Sequence, residues 1–198
     1  MRGQGKKIVA VCIALWALAV VAPQRVAAEP LRGVFTEYSS IDGLAHNNIH
    51  DIYTDSRGFV WLCTWNGVSR FDGYTFKNYC TDPKNMPVRH NRFRGVEEDS
   101  VGNLWFRTYD DHIYRFSRHS EQFEDVCEHI DQLHDRSYRV GKVICSAHSD
   151  RVWVEYQGFG LVGFYNDKDG NLLCHNLIGN PLLGTDVSLM CEGEGGEL

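Results

Sequence analysis

Between residues 48 and 79 the apolar and aromatic positions fall into short runs, at 48–54, 59–65, 68–71 and 75–79, separated by Gly, Asn and Asp. Each run is shorter than an ordinary helix and rich in β-branched and aromatic side chains, which predicts strands joined by tight turns. After residue 28 no segment sustains apolar residues at a 3.6-residue period. Residues 124–135, "EDVCEHIDQLHD", come nearest, and they predict a connecting loop with one helical turn.

The same pattern recurs. "DSRGFVWLCTWNGVSRFDG" (residues 55–73) has a counterpart in "DSVGNLWFRTYDDHIYRFS" (residues 99–117). At an offset of 44, Asp55, Gly58 and Trp61 coincide with Asp99, Gly102 and Trp105. After one inserted residue, Arg70 and Phe71 coincide with Arg115 and Phe116. A fainter copy, "RVWVEYQGFGLVGFY" (residues 151–165), is registered by Trp153, with Ala147 and Asp150 in place of the turn Asp and Gly. "MCEGEGGEL" at residues 190–198 resembles the lead-in to a further copy.

Four antiparallel strands per 40–50 residues is the arithmetic of a β-propeller blade. The expected fold class is therefore all-β: a partial β-propeller with blades at roughly 31–80, 88–127 and 137–177 and the start of a fourth at 186–198. In each Asp-x-x-Gly turn, Asp accepts from backbone amides two residues on and Gly supplies the positive φ. The following Trp is large enough to fill the gap between blades. Asp55, Gly58, Trp61, Asp99, Gly102, Trp105 and Trp153 are thus expected to be structural, with Arg70 and Arg115 tying carbonyls or acidic groups. An open arc of blades would leave inter-blade faces uncovered, which a longer chain or an oligomer would close.

The amino terminus changes how charge is counted. Arg2, Lys6 and Lys7 precede the uncharged run "IVAVCIALWALAVVA" (residues 8–22), and small residues follow at 26–28. The run is short for a membrane span, which needs about 20 residues. Residues 1–28 read as a secretory signal peptide, with an uncleaved anchor as the alternative. The chain has 20 basic and 26 acidic residues, and removing Arg2, Lys6, Lys7 and Arg25 makes it still more acidic. That balance excludes a nucleic-acid partner, which needs a basic face. Cys63, Cys80, Cys127, Cys145, Cys174 and Cys191 would remain; export permits disulfides, but mostly buried free thiols are expected. No CxxC or Cys/His spacing points to zinc, and neither a metal nor a cofactor is expected.

"GLAHNNIHDIYTDSRGFVWLCTWNGVSRFDGYTFKNY" (residues 43–79) closely resembles the two-component regulator propeller repeat. The resemblance weakens blade by blade and covers about residues 31–198. It implies the periplasmic sensor region of a hybrid two-component histidine kinase of glycan-degrading bacteria. The partners it implies are an oligosaccharide ligand, further blades and a kinase region, with a homodimer possible in the full-length, inner-membrane-anchored parent. Cys63 and Arg107 depart from the family pattern, which usually has Gly there. No kinase His motif, ATP-binding glycine box or receiver aspartate cluster occurs in these residues, so the chain itself is not expected to be an enzyme.

A four-stranded meander places the loop entering its first strand on the same face as the turn between strands two and three. That face gathers His46, Asn47 and Asn48; His90, Asn91 and Arg92; Tyr138 and Arg139; Trp65 and Asn66; Tyr109 and Asp110; and Tyr156 and Gln157. Rings stack on apolar sugar faces, while planar amides and guanidinium groups pair with hydroxyls or carboxylates. Asn47, Trp65, Arg92, Tyr109 and Arg139 are the candidate ligand-binding residues. Asn as a turn former and aromatics as shields for strand ends are the structural alternative. The pair Asp110-Asp111 is expected to be solvated. An exported carbohydrate-active lyase or glycosidase and a structural interaction module are the competing functions.

Overall fold

The computed structural model describes residues 35–79, 91–130, 138–146, 149–168 and 171–179. The signal-peptide segment, the fourth copy, Cys80, His90 and Cys191 lie outside them. The blades belong to one compact unit, Tyr38–Leu198.

The strands are β1 (Ile49–Thr54), β2 (Val60–Thr64), β3 (Gly67–Phe71), β4 (Phe76–Tyr79), β5 (Phe93–Glu98), β6 (Leu104–Thr108), β7 (Ile113–Ser117), β8 (Gln122–Asp125), β9 (Arg139–Cys145), β10 (Val152–Gln157), β11 (Gly160–Asn166) and β12 (Leu172–Asn176). They form three four-stranded antiparallel meanders, β1–β4, β5–β8 and β9–β12. The expected fold class is what the structure shows: propeller-type blades with no α-helix among the described residues. Residues 126–129 form the single short turn anticipated there, a 3-10 helix capped by Asp125.

The Asp-x-x-Gly turns work as the sequence implies and do more besides. Asp55 Oδ1 accepts from the amides of Arg57 (2.9 Å) and Phe59 (3.0 Å), while Oδ2 accepts from the Trp61 indole N–H at 2.7 Å. Asp99 repeats this with Val101, Asn103 and, at 2.9 Å, the Trp105 indole. Gly58 and Gly102 sit at φ 85° and 92°, where a Cβ is disfavoured. Each bonded Trp then enters the next blade. The Trp61 ring lies 5.7 and 5.2 Å from Phe106 and Phe116, and Trp105 lies 5.6 Å from Phe164. Both indoles are buried.

The two arginines bridge blades. Arg70 meets Glu121 at 3.1 Å, and Arg115 reaches Glu124 in its own blade and Asn166 in the next. The third blade dispenses with this arrangement. Its residue opposite Trp153 is Gly163, and the ring folds so closely over it that a Cβ there would stand 2.8 Å from the indole. Among the described residues the Trp153 Nε1 has no hydrogen-bond partner, consistent with Ala147 at the position of the turn Asp.

The departures at Cys63 and Arg107 are accommodated locally. Cys63 is buried opposite Asp51, and Arg107 lies opposite Gly95, where a Cβ would stand 2.7 Å from its guanidinium. Glu155 crowds Gly141 in the same way. Glycine absent from the second strand thus reappears on the first strand of blades two and three, so the sheet still has room for the larger side chain.

In the first blade, the Phe71–Phe76 pair matches Phe116–Phe123 of the second, whose Phe116 packs against Trp61. Here the ring of Tyr38, in the lead-in segment, lies 5.0 and 5.6 Å from the two phenylalanines.

Candidate functional site

Backbone hydrogen bonds build the face where entry loops meet second turns. The Trp65 amide donates to Asn48 O (3.1 Å), and 44 residues on the Tyr109 amide donates to Arg92 O (3.0 Å). Each turn is thereby pinned to the loop entering its own blade. Across the blades, Gly67 N donates to Asn91 O at 2.6 Å and the Asn91 amide to Asn66 Oδ1 at 3.1 Å. Thr64 Oγ1 closes the first turn by donating to Gly67 O.

These loops enclose a cavity of about 750 Å³ lined by His46, Trp65, Asn66, Asn91, Arg92, Tyr109 and Asp110. Three of the predicted residues, Trp65, Arg92 and Tyr109, meet here. The Arg92 guanidinium lies 4.7 Å from the Trp65 ring centre, a cation–π distance. Trp65 and Tyr109 are 5.7 Å apart and both partly exposed.

The other two predicted residues are placed elsewhere. Asn47 does not line the cavity; its Oδ1 accepts from Ser40 N at 2.7 Å and so holds the lead-in turn. Arg139 opens β9 in register with Gln157, also away from the cavity. Tyr138 turns inward, 5.3 Å from Tyr156. Asp111 is not a solvated partner of Asp110. At φ 64°, its Oδ1 accepts from Val140 N (3.1 Å) and faces Arg94 (3.2 Å), fastening this turn to the third blade.

His50 is a participant that sequence reasoning missed. Its ring stands 4.9 Å from Trp65 and 5.0 Å from Tyr109, and Nδ1 is 3.1 Å from the Tyr109 hydroxyl. The β1–β2 register shifts between Ile49 and Asp51, a bulge that re-aims one side chain. The same shift recurs between Phe93 and Gly95. A signal was available, because residues 50 and 94 keep the 44-residue offset, but neither is alike in chemistry to its counterpart.

On the opposite face a second cavity of about 580 Å³ lies among the Asp-x-x-Gly turns. Arg118 and Glu98 there are already paired: Arg118 lies 2.7 Å from Glu98 and 3.3 Å from Asp55, and Glu98 accepts from the Ser56 amide and hydroxyl. The first cavity offers instead exposed ring edges, amides and a guanidinium, a set suited to a polyhydroxylated ligand.

The fold and its repeat define a run of β-propeller blades. Residues 43–66 match the family model for the two component regulator propeller. Histidine kinase P4 of Formosa agariphila is 41% identical over 51 residues, which are 26% of this chain and 4% of that one. The extracellular domain of a putative hybrid two component system from B. thetaiotaomicron superposes with a TM-score of 0.57 at 20% identity, over 76% of this chain and 21% of that one. A catalytically inactive virginiamycin B lyase from Staphylococcus aureus, solved with quinupristin, gives 0.51 at 18% identity, over 76% and 47%. Such distant structural likenesses concern the fold. The chain spans a small part of the kinase and about a fifth of the two-component extracellular domain.

Proposed function

We propose that this chain is part of the ligand-sensing propeller of an exported hybrid two-component regulator, and that it binds an oligosaccharide on the face holding Trp65, Arg92 and Tyr109. The observation that carries the reading is the convergence of those three side chains from separate loops, locked together by backbone hydrogen bonds, in blades similar to two-component sensor domains. In this reading the cavity binds and does not catalyse. The Trp65 ring already has Arg92 over it and His50 beside it, so a sugar meets the exposed indole edge and the Tyr109 ring. Arg92 and the Asn66 and Asn91 amides supply the polar contacts, and Arg92 favours a sugar carrying a carboxylate. Export to the periplasm rests on residues 1–28.

Calorimetric titration of the chain, and of a longer sensor carrying it, against a glycan panel tests the reading. Saturable binding that weakens about tenfold or more in Trp65→Ala and Arg92→Ala, with unchanged unfolding midpoints, is the expected result. Undiminished affinity in both variants would remove this face from consideration, product formation would favour the enzyme, and no binding at all would favour a structural module.

A further inference from the structure

The geometry points to a binding site for one zinc-class divalent ion formed by His112, Asp125 and Cys127. One donor atom from each residue lies within 4.8 Å of the others. Their spacing in the sequence, 13 and 2 residues, matches no familiar zinc pattern; the fold assembles them. His112 comes from the β6–β7 turn, Asp125 ends β8, and Cys127 lies in the 3-10 turn that Asp125 caps.

The donor set narrows the metal. Imidazole, carboxylate and thiolate together suit a borderline-soft ion such as Zn²⁺, whereas Ca²⁺ and Mg²⁺ take oxygen ligands. Tetrahedral zinc holds nitrogen and oxygen ligands about 3.3 Å apart. His112 Nδ1 and Asp125 Oδ2 stand at 2.7 Å, so they need separate by only about half an ångström. Asp125 and Cys127 are buried and His112 is half-buried.

The surroundings also resemble a supported site. Asp125 Oδ1 accepts from the Cys127 amide at 3.0 Å, which orients the carboxylate, and the Tyr156 hydroxyl lies 3.5 Å from Cys127 Sγ. Tyr156 is fully buried and belongs to the third blade, so an ion here would brace the second blade where the third packs on it. Three protein ligands leave a fourth position for water or a phenol oxygen.

The test uses the full chain stripped with a chelator and titrated with Co²⁺ as a spectroscopic stand-in, then with Zn²⁺ in competition. Uptake of one equivalent is expected, with a thiolate-to-cobalt charge-transfer band and tetrahedral-intensity visible bands that Zn²⁺ abolishes. Cys127→Ser should lose the charge-transfer band and bind Zn²⁺ at least about 100-fold more weakly, and His112→Gln should weaken binding while far-ultraviolet circular dichroism stays native. No stoichiometric uptake by the parent chain, or a charge-transfer band that survives in Cys127→Ser, would overturn the assignment and leave a hydrogen-bonded cluster.

Discussion

The indole N–H of Trp61 donates to the carboxylate of Asp55 at 2.7 Å, joining the turn of one blade to the side chain that fills the gap to the next. The same carboxylate holds two turn amides and faces Arg118 of the second blade at 3.3 Å. Replacing Asp55 by Ala strands a buried indole N–H and frees the turn. The expected loss is about 2–4 kcal/mol, read from urea unfolding. Asp55→Asn, which keeps an acceptor, should lose less. A loss below about 0.5 kcal/mol in the alanine variant would show that the turn holds without its carboxylate.

Gly163 should resist even one added methyl group. The Trp153 ring covers it, and the clash is with a rigid indole and not the end of a flexible chain. Gly163→Ala is expected to destabilise by about 1–3 kcal/mol and to change the near-ultraviolet circular dichroism as Trp153 is displaced. Unchanged stability and spectrum would mean that the ring can swing aside freely.

The described cysteines Cys63, Cys127 and Cys145 are free thiols. Burial raises the pKa of Cys63 well above the ordinary thiol range and that of Cys145 also upward. A raised thiol pKa leaves less thiolate at a given pH, and thiolate is the nucleophile. At pH 8, native-state alkylation followed by mass spectrometry should label Cys63 and Cys145 at least about tenfold more slowly than in urea. Equal rates would contradict their burial.

His50 supports two cavity residues from behind. On the proposed binding face, His50→Ala should weaken glycan binding about tenfold, because Trp65 and Tyr109 both lose the ring they pack against. Stability should fall by only about 1 kcal/mol. Tyr109→Phe, which loses only the 3.1 Å contact to Nδ1, should have a smaller effect on binding. Identical calorimetric affinities for His50→Ala and the parent chain would assign His50 a packing role alone.

Much of the fold was legible because its causes are local. A turn Asp reaches amides two and four residues on, Gly accepts a positive φ, and both recur at fixed offsets. Even the gap-filling role of the tryptophans followed from their size. The Asp–Trp bond within each turn was not foreseen, although its spacing of six residues repeats. The candidate site was legible as a face, because strand order decides which loops are neighbours. Its membership was only partly so. Asn47 was drawn away by Ser40, Arg139 lay at the edge of a blade further on, and His50 entered through a bulge that alternation does not predict.

The sequence by itself determined the blade, its punctuation and the likeness to two-component propellers, since these depend on periodicity and on bonds spanning a few residues. Only the tertiary structure decided which side chains share a cavity, which acids are consumed by neighbouring blades, and that His112, Asp125 and Cys127 converge. Those contacts depend on how one sheet is rotated against the next, and that angle is set by packing across the blade interfaces, which no local spacing in the chain encodes.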